Sequence, residues 1–324
     1  MSAVPTIGYH ASHEQFTPSA LLEFVQRAAS AGFDAAMCSD HFHPWSEEQG
    51  ESGFAWSWLG AALQATDLPF GVVCAPGYRY HPAIIAQAAA TLAEMYPGRF
   101  WLAAGSGERL NEHITGEVWP PKPERNERLR DCVDVMRALW AGDTVTHRGL
   151  VQVEEARLYT RPAAPPRVFG AALTEQTAEW TGSWADGLIT VSAPPDKLKR
   201  LTDAFRRGGG DGKPIVLQIK LSYANTDADA LAGAHQQWRS VVFDSAVLAE
   251  LRMPAEFDAA ARLVRQEEMH AFVHVSSDVE RHVEWIRGYG DFGFEALYLH
   301  NVHSDQQRFI DDFGEHVLPA LRDN

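Results

Sequence analysis

Cysteine is scarce and scattered. Cys38, Cys74 and Cys132 are the only three in 324 residues, and no two form a C-x-x-C pair. That argues against a disulfide framework or a structural zinc site, and it fits a reducing cytosol. Basic residues are also few: 28 Lys+Arg stand against 43 Asp+Glu, a net charge of −15. Nucleic-acid binding needs a basic face to neutralise phosphates, so that class is set aside. Apolar runs are short, well under the roughly eighteen residues that suggest a membrane span. Met1 to Gln15 has neither a basic n-region nor an apolar h-region, so no secretory leader is expected and the cytoplasm is. Internal repeats and low-complexity tracts are missing too. No G-x-G-x-x-G follows the first apolar run, which weakens a Rossmann reading. The run Gly208-Gly209-Gly210 lacks the Lys-Ser/Thr of a phosphate loop.

What is there is an ordinary globular composition, 45% hydrophobic and 22% charged. Short apolar runs alternate with amphipathic stretches. Pro5 to His10 reads as a buried strand. Thr17-Pro18 reads as a cap with proline at the first helical position, and Gly32 as the stop. Further strands are expected at Asp34–Phe42, Leu68–Ala75, Phe100–Gly105, Val168–Ala172, Gly187–Val191, Pro214–Ala224 and Glu295–Asn301. Helical patterns follow each, among them Glu127–Trp140 and a long region Asp227–Leu263. Thr144–Tyr159 reads as an extra hairpin. Apolar character along the strands is continuous, as buried parallel strands require. Eight βα units predict an α/β (β/α)8 TIM barrel with insertions after strands 4 and 7, forming one domain over 1–324. A doubly wound sheet is the rival.

In such a barrel the chemistry gathers where strands end. Strand two runs into Ser39-Asp40-His41-Phe42-His43-Pro44-Trp45, and strand three into Val73-Cys74-Ala75. Strand four runs into Gly105-Ser106-Gly107-Glu108, then Asn111 and Glu112. Strand five ends in Ala171-Ala172-Leu173-Thr174, strand six in Val191-Ser192 and strand eight in His300-Asn301-Val302-His303. Two kinds of site fit. One is a metal-dependent hydrolase site on His41 and His43, which needs ligands that strands five and six do not offer. The other is a planar cofactor. Ala103 to Gly107 carry little side chain, Asp40, Glu108 and Asn111 can hydrogen-bond a ring edge, and His41 can move a proton. Each residue also has a plainer role: Asp40 in an ion pair, Glu108 as a helix cap, the glycines in a turn. A barrel that binds a flavin without turnover is a third possibility.

Taken together, Ser39–Trp45, Arg79–Gln87 and Gly105–Glu112 resemble the bacterial luciferase-like superfamily. The closest likeness is to its branch of deazaflavin (F420)-dependent glucose-6-phosphate dehydrogenases. The resemblance runs from Ile7-Gly8-Tyr9 to Asp305–Phe309. It implies a (β/α)8 barrel, a homodimer, and a flavin-type ring across the mouth. It implies an oxidoreductase acting on a small organic substrate by hydride transfer or monooxygenation. Carried over, His41 and Glu108 are the proton-handling residues. Asp40, Val73, Ala75, Ser106, Gly107 and Asn111 meet the cofactor, while Trp45 and Val191 line the substrate side. The phosphate-binding turn maps to Ala171-Ala172 and Thr174-Glu175, without the family's paired glycines. A cis peptide is expected at Val72–Val73. The stretches Ser192–Pro195, Phe257–Ala260 and Ala271–Phe272, none with a basic residue, stand where the family's cations hold a sugar phosphate, so glucose 6-phosphate is not the expected substrate. For the cofactor, the likeness to an FMN-using clade favours FMN narrowly over coenzyme F420. No metal is expected.

Overall fold

A computed structural model describes residues 5–322. Eight parallel strands close on themselves. They are β1 (Thr6–Ala11), β2 (Ala35–Ser39), β3 (Phe70–Cys74), β4 (Phe100–Ala104), β5 (Arg167–Ala171), β6 (Gly187–Val191), β7 (Ile215–Ser222) and β8 (Ala296–Asn301). Each pairs with the next, β8 with β1, and β7 with both β6 and β8. This is the predicted TIM barrel.

Local sequence sets the elements. Thr17 accepts the Ala20 N–H at 3.3 Å, Pro18 opens the helix Pro18–Ala31, and Gly32 closes it at φ 94°. The helix after β4 begins at Lys122, earlier than its apolar pattern suggests, because Pro121 and Pro123 suit a first turn. The expected hairpin forms from Val145–Arg148 and Gln152–Ala156. The long helical region after β7 is broken instead into Asp227–Trp238, Ser245–Leu248 and Pro254–Ala261. Asp244 caps the second piece, and Pro254 starts the third. Strand β2 stops at Ser39, so His41 and His43 lie on the following loop rather than on a strand.

Alternation along the strands separates two cores. The larger lies between the strands and the helices. The smaller fills the barrel with Ala35, Met37, Trp101, Ala103, Phe169, Ile189, Val216, Ala296 and Tyr298. Room for two of its rings comes from glycine: a Cβ on Gly71 would fall inside the Trp101 ring, and one on Gly8 inside the Tyr298 ring. Trp101 then packs 4.9 Å from Phe169 and 5.8 Å from Tyr298. At Val72–Val73 the expected cis peptide is absent; among the described residues every peptide is trans. Val72 pairs with Cys38 and Leu102, and Val73 with Ser39 and Ala103, so the ladder is regular on both sides.

Candidate functional site

The inward positions at the top of the barrel divide by chemistry. On the β3–β5 side they are Val73, Ala103, Gly105 and Ala171, small and apolar, with Ala75 just beyond. A Cβ built on Gly105 would still lie 3.7 Å from the Ala171 Cβ, so the backbone here is open to a flat group. On the β1, β7 and β8 side stand His10, Gln218, Lys220 and His300.

The loop after β2 carries His41 inward. Its ring lies between two carboxylates: Nδ1 is 3.5 Å from Oε1 of Glu14 and Nε2 is 3.9 Å from Oε2 of Glu108. Trp45 covers it at 4.9 Å, and Phe257 from the β7 insertion meets Trp45 edge-on at 5.5 Å. Burial lowers the His41 pKa, partly offset by Glu108. Burial pushes Glu14 up to about 7, against opposing hydrogen bonds from its own backbone and Ser12, and it raises Glu108 as well. Each shift favours the neutral form, and Glu14 is brought to where it can exchange a proton near neutral pH.

Asn111 holds this loop. Its Oδ1 accepts the N–H of Phe42 at 2.8 Å and of His43 at 3.2 Å, while His43 Nδ1 contacts the Leu110 carbonyl at 2.9 Å. His41 and His43 therefore serve different partners, which argues against their use as a ligand pair. Among the described residues no group of three His, Cys, Asp or Glu is placed to hold a metal.

Asp40 turns the other way. Its carboxylate accepts from Tyr80 Oη at 3.1 Å and from Arg79 Nη2 at 3.3 Å, and Arg79 also reaches Glu112. Burial raises the Asp40 pKa, with Arg79 the main opposing influence. An Arg flanked by two carboxylates is a buried network whose breakage is costly. Asp40 thus has a structural partner set, as the ion-pair reading allows.

The remaining expected residues are spread along one rim. Ser106 accepts from Lys122 Nζ, and Gly107 takes φ 78°. The Ala172 N–H is bonded to the Ile189 carbonyl. The Thr174 hydroxyl caps its own helix through Thr177, and Glu175 pairs on the surface with Arg200. Val191 ends β6, partly exposed.

Glu14, His10, Lys220 and Gln218 were not anticipated. The signal was available, since strands one and seven end at the same mouth as the others. His300, near the end of β8, is held neutral. Gln15 Nε2 donates to Gln237 Oε1 and to the Val302 carbonyl, which leaves its Oε1 to accept from His300 Nε2 at 3.1 Å. Bare Nδ1 then accepts from Gln218. Burial takes the His300 pKa well down and that of His10, 4.2 Å away, to about 3. Lys220, over the Trp238 ring at 5.5 Å, falls to about 8, again chiefly through burial.

Residues 1–296 match the family described as luciferase-like monooxygenase. An F420-dependent glucose-6-phosphate dehydrogenase of Microbacterium testaceum is 36% identical, covering 97% of both chains. Its namesake in Mycobacterium tuberculosis is 35% identical over 98% of both. The solved structure of an F420-dependent secondary alcohol dehydrogenase, bound to an F420–acetone adduct, superposes with a TM-score of 0.90. It is 33% identical and covers 99% of this chain and 100% of its own.

Proposed function

The chain belongs to the luciferase-like monooxygenase family, and from that premise we propose that it is an F420-dependent oxidoreductase that oxidises an alcohol carbon of a small organic substrate, or reduces the matching carbonyl. The observation that carries the reading is the row Glu14–His41–Glu108 beside a small-residue cradle. The relatives named above are described as F420-dependent, which favours the deazaflavin over the FMN expected from the sequence.

The residues present suit such a group. Val73, Ala75, Gly105, Gly107 and Ala171 leave a flat, apolar bed, and His41 Nδ1 is buried without a hydrogen-bond partner beside it. When bound, the deazaflavin accepts or returns a hydride. His41 takes the hydroxyl proton as the alcohol is oxidised, and Glu14 draws it onward from Nδ1. Glu108 holds or supplies a proton on the other side of the imidazole. Trp45 and Phe257 exclude water above them, and Val191 completes the substrate wall. Asn111 keeps His41 in place by fixing the next two amides of its loop.

For substrate, the sugar-phosphate positions hold Ser192–Pro195, Phe257–Ala260 and Ala271–Phe272, and Asp258 adds negative charge at one of them. That supports an uncharged alcohol over glucose 6-phosphate. The test is titration with F420 and FMN side by side, followed by turnover with secondary alcohols and with glucose 6-phosphate. Tight binding of FMN alone would overturn the cofactor reading. Efficient oxidation of glucose 6-phosphate would overturn the substrate reading.

A further inference from the structure

A second polar cluster lies on the β3–β4 rim, outside the row of proton-handling groups. Arg125, only 4% exposed, stacks on Trp119 at 4.5 Å. Trp119 in turn faces the Tyr78 ring at 5.3 Å. Three of these side chains bury donors with no hydrogen-bond acceptor: Tyr78 Oη, Trp119 Nε1, and both Nε and Nη1 of Arg125. Buried donors are almost always satisfied, so four in one cluster mark a place built for an acceptor. The nearest carboxylate, Glu250, stands 3.6 Å from Arg125 Nη1 and is more than half exposed. At that distance it makes no hydrogen bond.

Lys122 adds a second cation. It starts the same helix and donates to Ser106 Oγ at the end of β4. Its pKa falls to about 8, first through burial and then through Arg125 nearby. The cluster also adjoins the cradle: a Cβ on Gly107 would lie 3.3 Å from Trp119. By contrast, the turn expected to take a phosphate, Ala171–Glu175, spends the Thr174 hydroxyl on its own helix and pairs Glu175 with Arg200.

We propose that Lys122, Arg125, Tyr78 and Trp119 form an oxyanion site, and that it holds the acidic side chain of the cofactor. This source rests on the F420 reading above. A flavin-type cofactor carries its ring on a ribityl chain ending in phosphate, extended in F420 by carboxylates. Two cations and two neutral donors match a phosphoryl or carboxylate group through charge-assisted hydrogen bonds. A substrate anion is the other source of the same chemistry.

The test compares F420 with the deazaflavin riboside, which has the ring and ribityl chain but no phosphate or carboxylate. Binding is followed by the ligand's own fluorescence. Lys122→Gln and Arg125→Gln should each weaken F420 by roughly tenfold or more, while the riboside binds as to wild type. Lys122→Gln changes the first residue of its helix and keeps a donor for Ser106, so it remains informative should Arg125→Gln fail to fold. Equal losses for both ligands, or no loss for either, overturn the proposal. Should the wild type bind neither ligand, the F420 reading itself fails, and with it the cofactor as source. Inorganic phosphate then decides the site. A rise in Tm with phosphate in wild type but not in Lys122→Gln keeps it as an oxyanion site for substrate, and an equal response in both removes it.

Discussion

Glu14 Oε1 lies 3.5 Å from His41 Nδ1, the ring nitrogen that points away from Glu108. The imidazole is thus addressed at both nitrogens, and a proton entering at one can leave from the other without the ring turning.

Removing the imidazole should stop this. His41→Ala is expected to lower turnover about 100- to 10,000-fold, the usual worth of general acid–base help. His41→Asn should do the same, since an amide hydrogen-bonds but does not titrate. Cofactor affinity, titrated on the same preparations, should hold in both. Near wild-type turnover in His41→Asn would take His41 out of the chemistry and leave Glu108.

Glu14 should set the pH dependence of alcohol oxidation. With its pKa raised by burial to about 7, it accepts a proton from His41 only once ionised. The rate should therefore climb as pH rises through about 7 and level above. Glu14→Gln should flatten that limb and slow turnover by about 100-fold. A pH–rate profile on both proteins reads this, and an unchanged limb in the variant would assign it elsewhere.

Stability should respond to acid through buried histidines. Burial lowers His10 to about 3, His13, His274 and His282 to about 4, and takes His300 well below the usual histidine value. A depressed folded pKa gives stability that is present above the unfolded value, about 6.5, and lost as pH falls towards the folded one. Glu14 works the other way: its raised pKa favours the fold below about 4.5, and that share is lost as pH rises through about 7. Urea midpoints should hence drop between pH 6.5 and 4. His274→Gln, outside the Glu14–His41–Glu108 row, should make the drop shallower. A flat midpoint over that range would contradict the histidine assignment.

Gly71 should tolerate no side chain. An alanine Cβ would enter the Trp101 ring, and overpacking of this kind typically costs about 1–3 kcal/mol. Gly71→Ala should lose that much in denaturant unfolding, and adding Trp101→Leu should recover part of it. Wild-type stability in the single variant would mean that Trp101 has room to move.

The barrel was legible because its strands are continuous apolar runs with strong punctuation, as at Thr17-Pro18 and Gly32. Boundaries failed where tertiary contacts decide them. β2 ends at Ser39: the Asp40 N–H still reaches the Val73 carbonyl, but Asn111, remote in sequence, takes the amides of Phe42 and His43 and bends the chain into a loop. The region Asp227–Leu263 has helical composition but carries Asp244 and Pro254, which restart the chain. At the site, His41 and Glu108 could be named from consecutive strand ends. Glu14 and Lys220 could not be weighed without also following strands one and seven. Whether Asp40 and His41 diverge depends on the loop's path, which no spacing reveals: Asp40 goes to Arg79, and His41 to Glu14 and Glu108.

The aromatic plug of Trp101, Phe169 and Tyr298 makes the barrel a chamber with one door. Whatever lies deepest must arrive first and leave last. On the proposed function, a ring bedded on Gly105 and Ala171 would be covered by any substrate beneath Trp45, and the reaction would impose a queue: cofactor before substrate on the way in, substrate's product before cofactor on the way out. Protons follow the same traffic rule, which makes the Glu14–His41–Glu108 row a side passage for the smallest passenger while the doorway is blocked.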